Sequence, residues 1–349
     1  MKATFHGRHS SRKTTAGGVV RISRHLVLLL FIPVLFAACG MLAESDSLIK
    51  PADGATSVST GPVDPYEIAL VMKTLTNPFF VQMEKGAREA ETALGIRLIV
   101  KTGAKETSIE QQIQIVEDLI DQQVDAIVIA PGSSTDLVHI LKKAQDAGIV
   151  IVNIDNRLDE AMCATEGLKD VPFISVRNDE GGKLSTEAIC AKAGNKGSAI
   201  LIEGIRDAEN ARLRKEGAET AFKANPDITL VASETANWKI DEAYALSKTL
   251  LTSHPDVTMA FCANDMMALG LVQYLQETGR KDILVAGFDN LPDAQTAIRD
   301  GWMYCTIDQQ ADVQGRKGVE AAVSLLQKKT VAPVTYVPVK LITKENLAE

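Results

Sequence analysis

The sequence lacks the short motifs by which common nucleotide-binding and hydrolytic folds are recognised. No G-x-G-x-x-G follows its first strand-like segment, and neither a P-loop nor a G-x-S-x-G elbow occurs in its 349 residues. Histidine is also scarce: three of the five histidines lie in the first 25 residues, and His139 and His254 are too far apart in sequence to suggest a metal site. These absences argue against dinucleotide-dependent, nucleotide-hydrolysing and serine-hydrolase chemistry, and against a metal centre.

The remaining histidines and cysteines are predicted to be structural. His139 lies in an apolar run, so we interpret it as a helix residue rather than a ligand. Four cysteines follow residue 39, and their spacing matches neither zinc nor redox motifs. Three of them lie in apolar surroundings and are expected to behave as small core residues, although one disulfide remains open. The four are Cys163, Cys190, Cys262 and Cys305.

Negative charge is absent from the N-terminal part of the chain. Residues 1–38 contain six Lys and Arg and no acid, whereas the rest contains 31 Lys and Arg against 45 Asp and Glu, a net charge of −14. So acidic a body is unsuited to nucleic acid, because a nucleic-acid binder needs a basic surface to neutralise phosphates. The length of the body, roughly 280 residues, favours two domains.

The N-terminal part has the features of an export signal. A basic stretch precedes the apolar run 26–36, which is short for a membrane span and is interrupted by Pro33. The sequence Leu-Phe-Ala-Ala-Cys at 35–39 resembles the lipobox of bacterial lipoproteins, except that Phe36 stands where leucine is usual. This resemblance implies that Cys39 is lipidated; an ordinary signal cut near Ala38 is the alternative.

We therefore expect residues 1–38 to be a lipoprotein signal peptide. Residues 39–65 are rich in Ser, Asp, Gly and Pro and are predicted to form a flexible tether.

From Tyr66 onward, short apolar segments alternate with helical patterns. Continuously apolar strands separated by helices indicate parallel sheets covered on both faces, and there are too many such units for one small sheet. We therefore predict an α/β fold with two doubly wound parallel-sheet lobes. The strands are predicted at 68–72, 97–100, 126–129, 150–154, 198–202, 230–231, 258–261 and 283–286. The helices are predicted at 78–94, from 107 onward, and at 136–147, 210–224, 241–253 and 266–278.

Several local signals support these helices. Asn77 is a suitable N-cap and Pro78 suits the first helical position, while Gly95 ends the pattern. Thr107 and Glu110 have the spacing of a capping box.

Asn, Asp, Arg and aromatic residues collect after the predicted strands, where ligands bind in such sheets. Aromatic rings can cover the C–H faces of a sugar, and carboxylates, amides and arginine can satisfy its hydroxyls. These residues include no positioned acid–base pair. The sequence therefore predicts sugar binding rather than catalysis, with no cofactor and no metal.

A series of motifs in order resembles the type I periplasmic sugar-binding proteins of ABC importers, most of all their ribose- and allose-binding branch. The resemblance spans roughly residues 66–345. It rests on MKTLTNPFF at 72–80, IAPGS at 129–133, GGK at 181–183, CANDMMALG at 262–270, GFD at 287–289 and TIDQ at 306–309.

The resemblance implies a periplasmic binding protein type I fold, in which a three-crossover hinge joins the lobes. The crossovers are expected near 176–177, 309–310 and 337–338. The N-terminal lobe would comprise 66–176 plus 310–337, and the C-terminal lobe 177–309 plus 338–349.

The resemblance also implies a set of ligand-binding residues. Asn156 departs from the ribose binders, which carry arginine beside the aspartate, whereas Arg157 comes one position later here. Arg214 is expected at the surface, Asp265 in a structural role, and Asn178 as a hinge or minor ligand residue. The implied ligand residues are Lys73, Asn77, Phe79, Phe80, Asp155, Asn156, Arg212, Trp238, Asn264, Asp289 and Gln309.

By this resemblance the protein is a non-enzymatic, extracytoplasmic binding protein of the periplasm or cell surface. It would be a monomer anchored to the membrane by lipid, and would deliver a monosaccharide to ABC permease subunits. Lys73, Trp238 and the altered Asp155-Asn156-Arg157 favour a hexose such as allose or psicose over ribose. The alternative is a sugar-sensing subunit of a chemoreceptor or sensor kinase without transport.

Overall fold

A computed structural model describes residues 64–347. The predicted signal peptide, Cys39 and nearly all of the predicted tether lie outside these residues.

Within the described residues, helices and strands alternate along most of the chain. The first half consists of β1 (Glu67–Met72), α1 (Pro78–Leu94), β2 (Arg97–Thr102), α2 (Ile109–Asp121), β3 (Ala126–Ile129), α3 (Val138–Asp146), β4 (Val150–Ile154), α4 (Glu160–Glu166), β5 (Phe173–Val176) and α5 (Asn178–Lys192). The second half consists of β6 (Lys196–Glu203), α6 (Glu209–Lys223), β7 (Asp227–Thr235), α7 (Ile240–Ser253), β8 (Val257–Cys262), α8 (Asp265–Thr278), β9 (Leu284–Ala286), α9 (Pro292–Arg299), β10 (Cys305–Asp308), α10 (Ala311–Leu326), β11 (Val334–Val337) and β12 (Lys340–Thr343).

The strands form two six-stranded sheets, one in each lobe. The strand order is β11-β5-β4-β3-β1-β2 in the first sheet and β12-β10-β9-β8-β6-β7 in the second. The pairings are parallel except for β10 with β12, which is antiparallel. The chain passes between the sheets after β5, after β10 and after β11. This arrangement confirms the predicted fold class of two doubly wound lobes with three crossovers.

Both faces of the first sheet are covered, as its apolar strands predicted. Along β1, Ile68 and Leu70 point into one hydrophobic cluster, whereas Ala69 and Val71 point into the other. Successive residues of a strand face opposite sides of its sheet, so a strand buried on both sides must be apolar at every position. All four side chains are fully buried.

The local signals around α1 are borne out by its geometry. Asn77 has extended backbone, and its Oδ1 accepts from the Phe79 N–H at 3.0 Å. Gly95 ends the helix in the left-handed conformation, at φ 64°. The capping box predicted for α2 is wrong: the N-cap is Ser108, one residue later, and its Oγ accepts from Lys105 N at 3.2 Å instead of capping the helix.

The predicted strands and helices are all present, some of them with shifted ends, but several elements of the described residues were missed: α4, β5, α5, α9, β10, α10, β11 and β12. Most of them are short or carry weak hydrophobic periodicity; the buried face of α5, for instance, consists mainly of small or polar residues, among them Gly181, Gly182 and Ser185. His139 lies on α3 with an exposed side chain beside Glu166. Among residues 64–347, no helix combines the length and apolar character needed to cross a bilayer.

Cys163, Cys190, Cys262 and Cys305 are all free thiols in the described part of the chain. The last three are buried, and burial raises the pKa of each thiol. They pack as small core residues.

Candidate functional site

A cavity with about 230 Å³ of empty space, part of it open to solvent, lies between the two lobes, at the carboxyl ends of the strands of both sheets. Its lining residues are Lys73, Asn77, Phe79, Phe80, Glu106, Asp155, Asn210, Arg214, Trp238, Asn264, Asp289 and Gln309.

The first turn of α1 and the end of β1 supply one wall. Asn77 both caps α1 and donates from Nδ2 to Glu106 Oε1 at 2.9 Å, so the cap and the cavity share one side chain. Phe79 and Phe80 meet edge to face, with ring centroids 5.0 Å apart. Lys73 Nζ lies 5.7 Å from the Phe80 ring centroid. This wall therefore combines aromatic faces with hydrogen-bonding groups.

Asp155 faces this wall from the end of β4. Its Oδ2 lies 2.7 Å from Lys73 Nζ, and both side chains are only 3 % exposed. A buried ion pair of this kind is stable only when both members keep partners, because an unpaired charge in a dry site is costly. Lys73 and Asp155 therefore constrain each other within the cavity.

Arg214 of α6 is the centre of the second lobe's wall. Its Nε donates to Asn178 Oδ1 at 2.8 Å and its Nη1 to the Ala263 carbonyl at 2.9 Å. The guanidinium stacks on Phe288, with Cζ 3.8 Å from the ring centroid. Its Nη1 also lies 3.6 Å from Asp289 Oδ1. These contacts hold the planar fork in one orientation.

Asp289, Gln309 and Asn264 complete this wall. Gln309 lies at the crossover after β10 and donates from Nε2 to Asp289 Oδ1 at 2.6 Å; its Oε1 accepts from Arg214 Nη2 at 3.3 Å. Asn264 caps α8 by accepting from Met267 N at 2.9 Å. The crossover glutamine thus connects the buried arginine to the buried carboxylate.

Three cavity residues adopt positive φ without being glycine. These values are 63° at Asp155, 65° at Trp238 and 130° at Asp289. Such conformations cost roughly 1–3 kcal/mol each and persist at ligand sites where the surrounding structure enforces them. Seven other non-glycine residues of the described chain also have positive φ, so the cavity is identified by its side chains rather than by backbone strain.

Burial shifts the protonation equilibria of the cavity residues. Desolvation raises the pKa of Asp289 despite the attraction of Arg214, and lowers the pKa of Arg214. It also raises the pKa of Glu106, whose carboxylate is enclosed although the residue as a whole is half-buried. The cavity contains three carboxylates and two cations, so its charges nearly balance.

Three buried polar atoms of the cavity residues lack a hydrogen-bond partner. Asp155 Oδ2 has only its ion pair with Lys73, whereas Trp238 Nε1 and Asn210 Oδ1 have no protein partner. Such atoms are uncommon, because a buried donor or acceptor without a partner costs roughly 1–3 kcal/mol. Trp238 Nε1 offers a donor and Asn210 Oδ1 an acceptor, as a hydroxyl-bearing ligand requires.

The structure brings most of the predicted site residues together, but not Arg212 or Asn156. Arg212 is half-exposed on α6 and pairs with Glu216 at 2.7 Å, outside the cavity. Residues two positions apart in a helix point about 200° away from each other around its axis, so Arg212 and Arg214 cannot face the same side. The expectation that Arg214 lies at the surface is wrong, and Arg214 occupies the predicted position of Arg212.

Asn156 is fully buried behind Asp155 and does not line the cavity. Its Nδ2 donates to the Pro131 carbonyl at 3.1 Å. Asp265 has the structural role that was expected, accepting from Leu291 N at 2.9 Å and from Thr306 Oγ1 at 2.7 Å. Asn178 holds Arg214 from beside the first crossover.

Three lining residues were missed: Glu106, Asn210 and Arg214. Glu106 follows β2, whose carboxyl end was not considered among the strand ends. Asn210 and Arg214 are four residues apart on α6 and therefore share a face, a spacing that could have found them. Within residues 64–347, no group of His, Cys, Asp and Glu is arranged to hold a metal ion.

Comparisons with known proteins agree with this architecture. A family described as periplasmic binding protein domain matches residues 68–330. The D-ribose/D-allose-binding protein of Pseudomonas aeruginosa is 38% identical over 283 residues, which cover 79% of this chain and 88% of that protein. The ribose import binding protein of Escherichia coli is 33% identical over 299 residues, covering 86% and 98%.

Among solved structures, an ABC transporter periplasmic solute binding protein from Actinobacillus succinogenes with bound D-allose superimposes with a TM-score of 0.77. It is 37% identical, and the match covers 80% of this chain and 98% of that one. Since the family match and these relatives span most of the chain, this protein belongs to the periplasmic binding protein family, in which its relatives are sugar-binding proteins of ABC importers.

Proposed function

We propose that this chain is an extracytoplasmic solute-binding protein that captures a monosaccharide between its two lobes and delivers it to an ABC permease. The observation that carries the proposal is the cavity, where aromatic faces and buried hydrogen-bonding groups of both lobes converge on a space of about 230 Å³. A ligand that contacts both lobes stabilises the closed arrangement by its differential affinity. The relatives named for import support delivery to a permease.

Each wall has a proposed role in binding the sugar. Phe79, Phe80 and Trp238 cover its C–H faces. Carboxylates of Asp155, Asp289 and Glu106 accept from its hydroxyls, while Arg214, Lys73 and the amides donate to them or complete the hydrogen bonding. The amides are Asn77, Asn210, Asn264 and Gln309.

For the lobes, we propose the boundaries 66–176 plus 310–337 and 177–309 plus 338–349, with a monomer as the functional unit. The three passages of the chain between the sheets support these boundaries.

We further propose that the ligand is a hexose such as allose or psicose rather than ribose. Lys73 and Trp238 in the cavity support this choice, and so does the D-allose bound by the Actinobacillus succinogenes relative. A site matched to each hydroxyl rejects the wrong epimer, because it leaves buried groups unpaired.

The decisive experiment is a thermal-shift screen of the mature chain against D-allose, D-psicose, D-ribose and other monosaccharides and polyols. A ligand at 100 times its Kd should stabilise the protein by about 2.7 kcal/mol. Asp289→Ala should abolish the shift of the best hit. If no monosaccharide raises the melting temperature, the proposed function is wrong; a shift with ribose alone would overturn the preference for a hexose.

At the N-terminus we propose export by residues 1–38 and lipid anchoring at Cys39, which would keep the protein at the periplasmic or cell surface. Palmitate labelling of the wild type that is lost in Cys39→Ala would support the anchor. An unlabelled wild type would mean that the chain is simply secreted.

A further inference from the structure

Helix α6, which carries Arg214, begins without a capping side chain of its own. Its N-cap is Ala208, and no side chain of its own segment bonds the first turn. The N–H groups of Glu209 and Asn210 precede the first intrahelical hydrogen bonds and need partners from elsewhere. Helices α1, α4 and α8, by contrast, are capped by Asn77, Asp159 and Asn264.

The missing caps come from the other lobe. Ser134 Oγ, in the loop after β3, accepts from the Glu209 N–H at 3.1 Å. Asn156 Oδ1, after β4, accepts from the Asn210 N–H at 3.2 Å. In addition, Ser134 N donates to the Asp207 carbonyl at 3.3 Å. Asn210 Nδ2 also donates to Asp155 Oδ1 at 3.4 Å, so four hydrogen bonds cross the cleft within four consecutive residues of the second lobe.

Hydrogen bonds within the first lobe fix the orientation of the two capping side chains. Asn156 Nδ2 donates to Ser134 Oγ at 3.3 Å and to the Pro131 carbonyl at 3.1 Å. Both residues are buried, with exposures of 6 % for Ser134 and 0 % for Asn156. A satisfied polar network in a dry site is rigid, so the two acceptors are pre-positioned for the helix.

We propose that Ser134 and Asn156 form a latch that caps α6 across the cleft only when the lobes are closed. When the lobes separate, the Glu209 and Asn210 N–H groups lose both acceptors. The latch therefore adds to the closed state a free energy that is independent of the sugar's identity. It rests on the proposed ligand-driven closure, and it explains why Asn156 is buried beside the ligand site without lining it.

The test compares Ser134→Ala with Ser133→Ala. Ser133 lies in the same loop and is also buried, but its Oγ caps Thr135 N and Asp136 N within its own lobe. Calorimetric titration with D-allose and D-ribose should show that Ser134→Ala weakens both affinities by the same factor, about three- to tenfold, as expected for loss of one helix cap. Ser133→Ala should leave both affinities within about twofold of the wild-type values.

A second measurement needs no ligand. With a spin label on the first lobe, paramagnetic relaxation of second-lobe amides in the unliganded protein detects even a minor closed population. Ser134→Ala should reduce this contribution relative to the wild type and to Ser133→Ala. An unchanged contribution would overturn the latch, as would an affinity loss confined to one sugar, because that would indicate direct ligand contact.

Failure of the proposed function is distinguishable from failure of the latch. If the wild type binds neither sugar, the relaxation measurement alone decides. A reduced closed population in Ser134→Ala would then still support the latch, and an equal one would reject it. Thermal unfolding of each unliganded variant verifies that the substitution has not unfolded the protein.

Discussion

At the scale of single residues, the cavity depends on which of two neighbouring arginines faces inward. Arg214 contacts Asn178, Ala263, Gln309 and Phe288, whereas the guanidinium of Arg212 reaches only helix carboxylates. Exposed ion pairs along a helix contribute only about 0.3–0.5 kcal/mol. Both positions hold arginine, but Arg214 faces the cavity and Arg212 faces solvent.

We expect Arg214→Lys to weaken binding of the best sugar by at least tenfold, because lysine keeps the charge but loses the fork that serves several acceptors. Arg214→Ala should also cost about 3–5 kcal/mol of stability, since it leaves Asp289 buried without its cation. Arg212→Ala is the matched control and should change the affinity less than twofold. Calorimetric titration measures the affinity, and thermal unfolding measures the stability. Equal losses of affinity in Arg212→Ala and Arg214→Lys would contradict the assignment of Arg214 to the ligand site.

Trp238 provides a second test, in which stability and affinity should move in opposite directions. Its Nε1 has no protein partner, so Trp238→Phe removes an unsatisfied buried donor and should keep or raise the unliganded melting temperature. If the sugar accepts from that N–H, the same change should weaken binding about three- to tenfold. Trp302→Phe, at the other tryptophan of the described chain, should leave the affinity unchanged. An unaltered affinity in Trp238→Phe would mean that the indole only stacks.

At the scale of secondary structure elements, the segment between β6 and α6 is anchored by one carboxylate. Glu203 accepts from Arg206 Nε at 3.0 Å, Lys215 Nζ at 2.9 Å and Ser233 Oγ at 2.8 Å. Burial tends to raise the pKa of Glu203, but these three hydrogen bonds outweigh it and lower the pKa to about 2. The carboxylate therefore ties the strand end to the loop and helix that follow it.

This lowered pKa predicts an acid-dependent stability. The contribution of Glu203 is fully present above its unfolded pKa, about 4.3, and is lost as the pH falls through the folded pKa near 2. Glu203→Gln should be less stable than the wild type at pH 7, and the difference should shrink between pH 4.5 and pH 2. Urea unfolding at several pH values measures this; a difference that is constant with pH would contradict it.

Sequence signals predicted the positions of helices and strands better than they predicted which face of each element is buried. The continuous apolar segment 126–129 coincides with β3, and Asn77 and Gly95 bound α1 as predicted. By contrast, α5 was missed because its buried face consists mainly of glycines and polar residues, and yet it packs on α6. Gly182 permits this packing, since a Cβ there would lie 2.3 Å from the Arg214 carbonyl oxygen.

At the scale of the whole molecule, the net negative charge of the body contrasts with the nearly balanced charges of the cavity. The part of the chain after residue 38 has a net charge of −14, whereas the charged groups of the cavity, four buried and Glu106 half-buried, nearly balance. Salt screens exposed charges over about 8 Å at physiological ionic strength and acts much less on buried pairs.

A neutral sugar should therefore bind with an affinity that changes less than twofold between 50 and 500 mM NaCl. A sugar acid or sugar phosphate would respond more strongly, because the field of the acidic body acts on charged ligands. Titration of the best thermal-shift hit at both salt concentrations checks this. A tenfold loss of affinity would indicate a charged ligand, contrary to the proposed class.

The sequence by itself determined the alternation of strands and helices, and hence the two lobes, because continuous apolar segments can be buried only in sheets covered on both faces. It also placed Asp155 and Asp289 at strand ends, where parallel sheets bind ligands. Tertiary structure alone decided that Arg214 faces the cavity and that Asn156 caps a helix of the opposite lobe. Those outcomes depend on how α6 is rotated and docked across the cleft, which involves contacts between residues more than 50 positions apart.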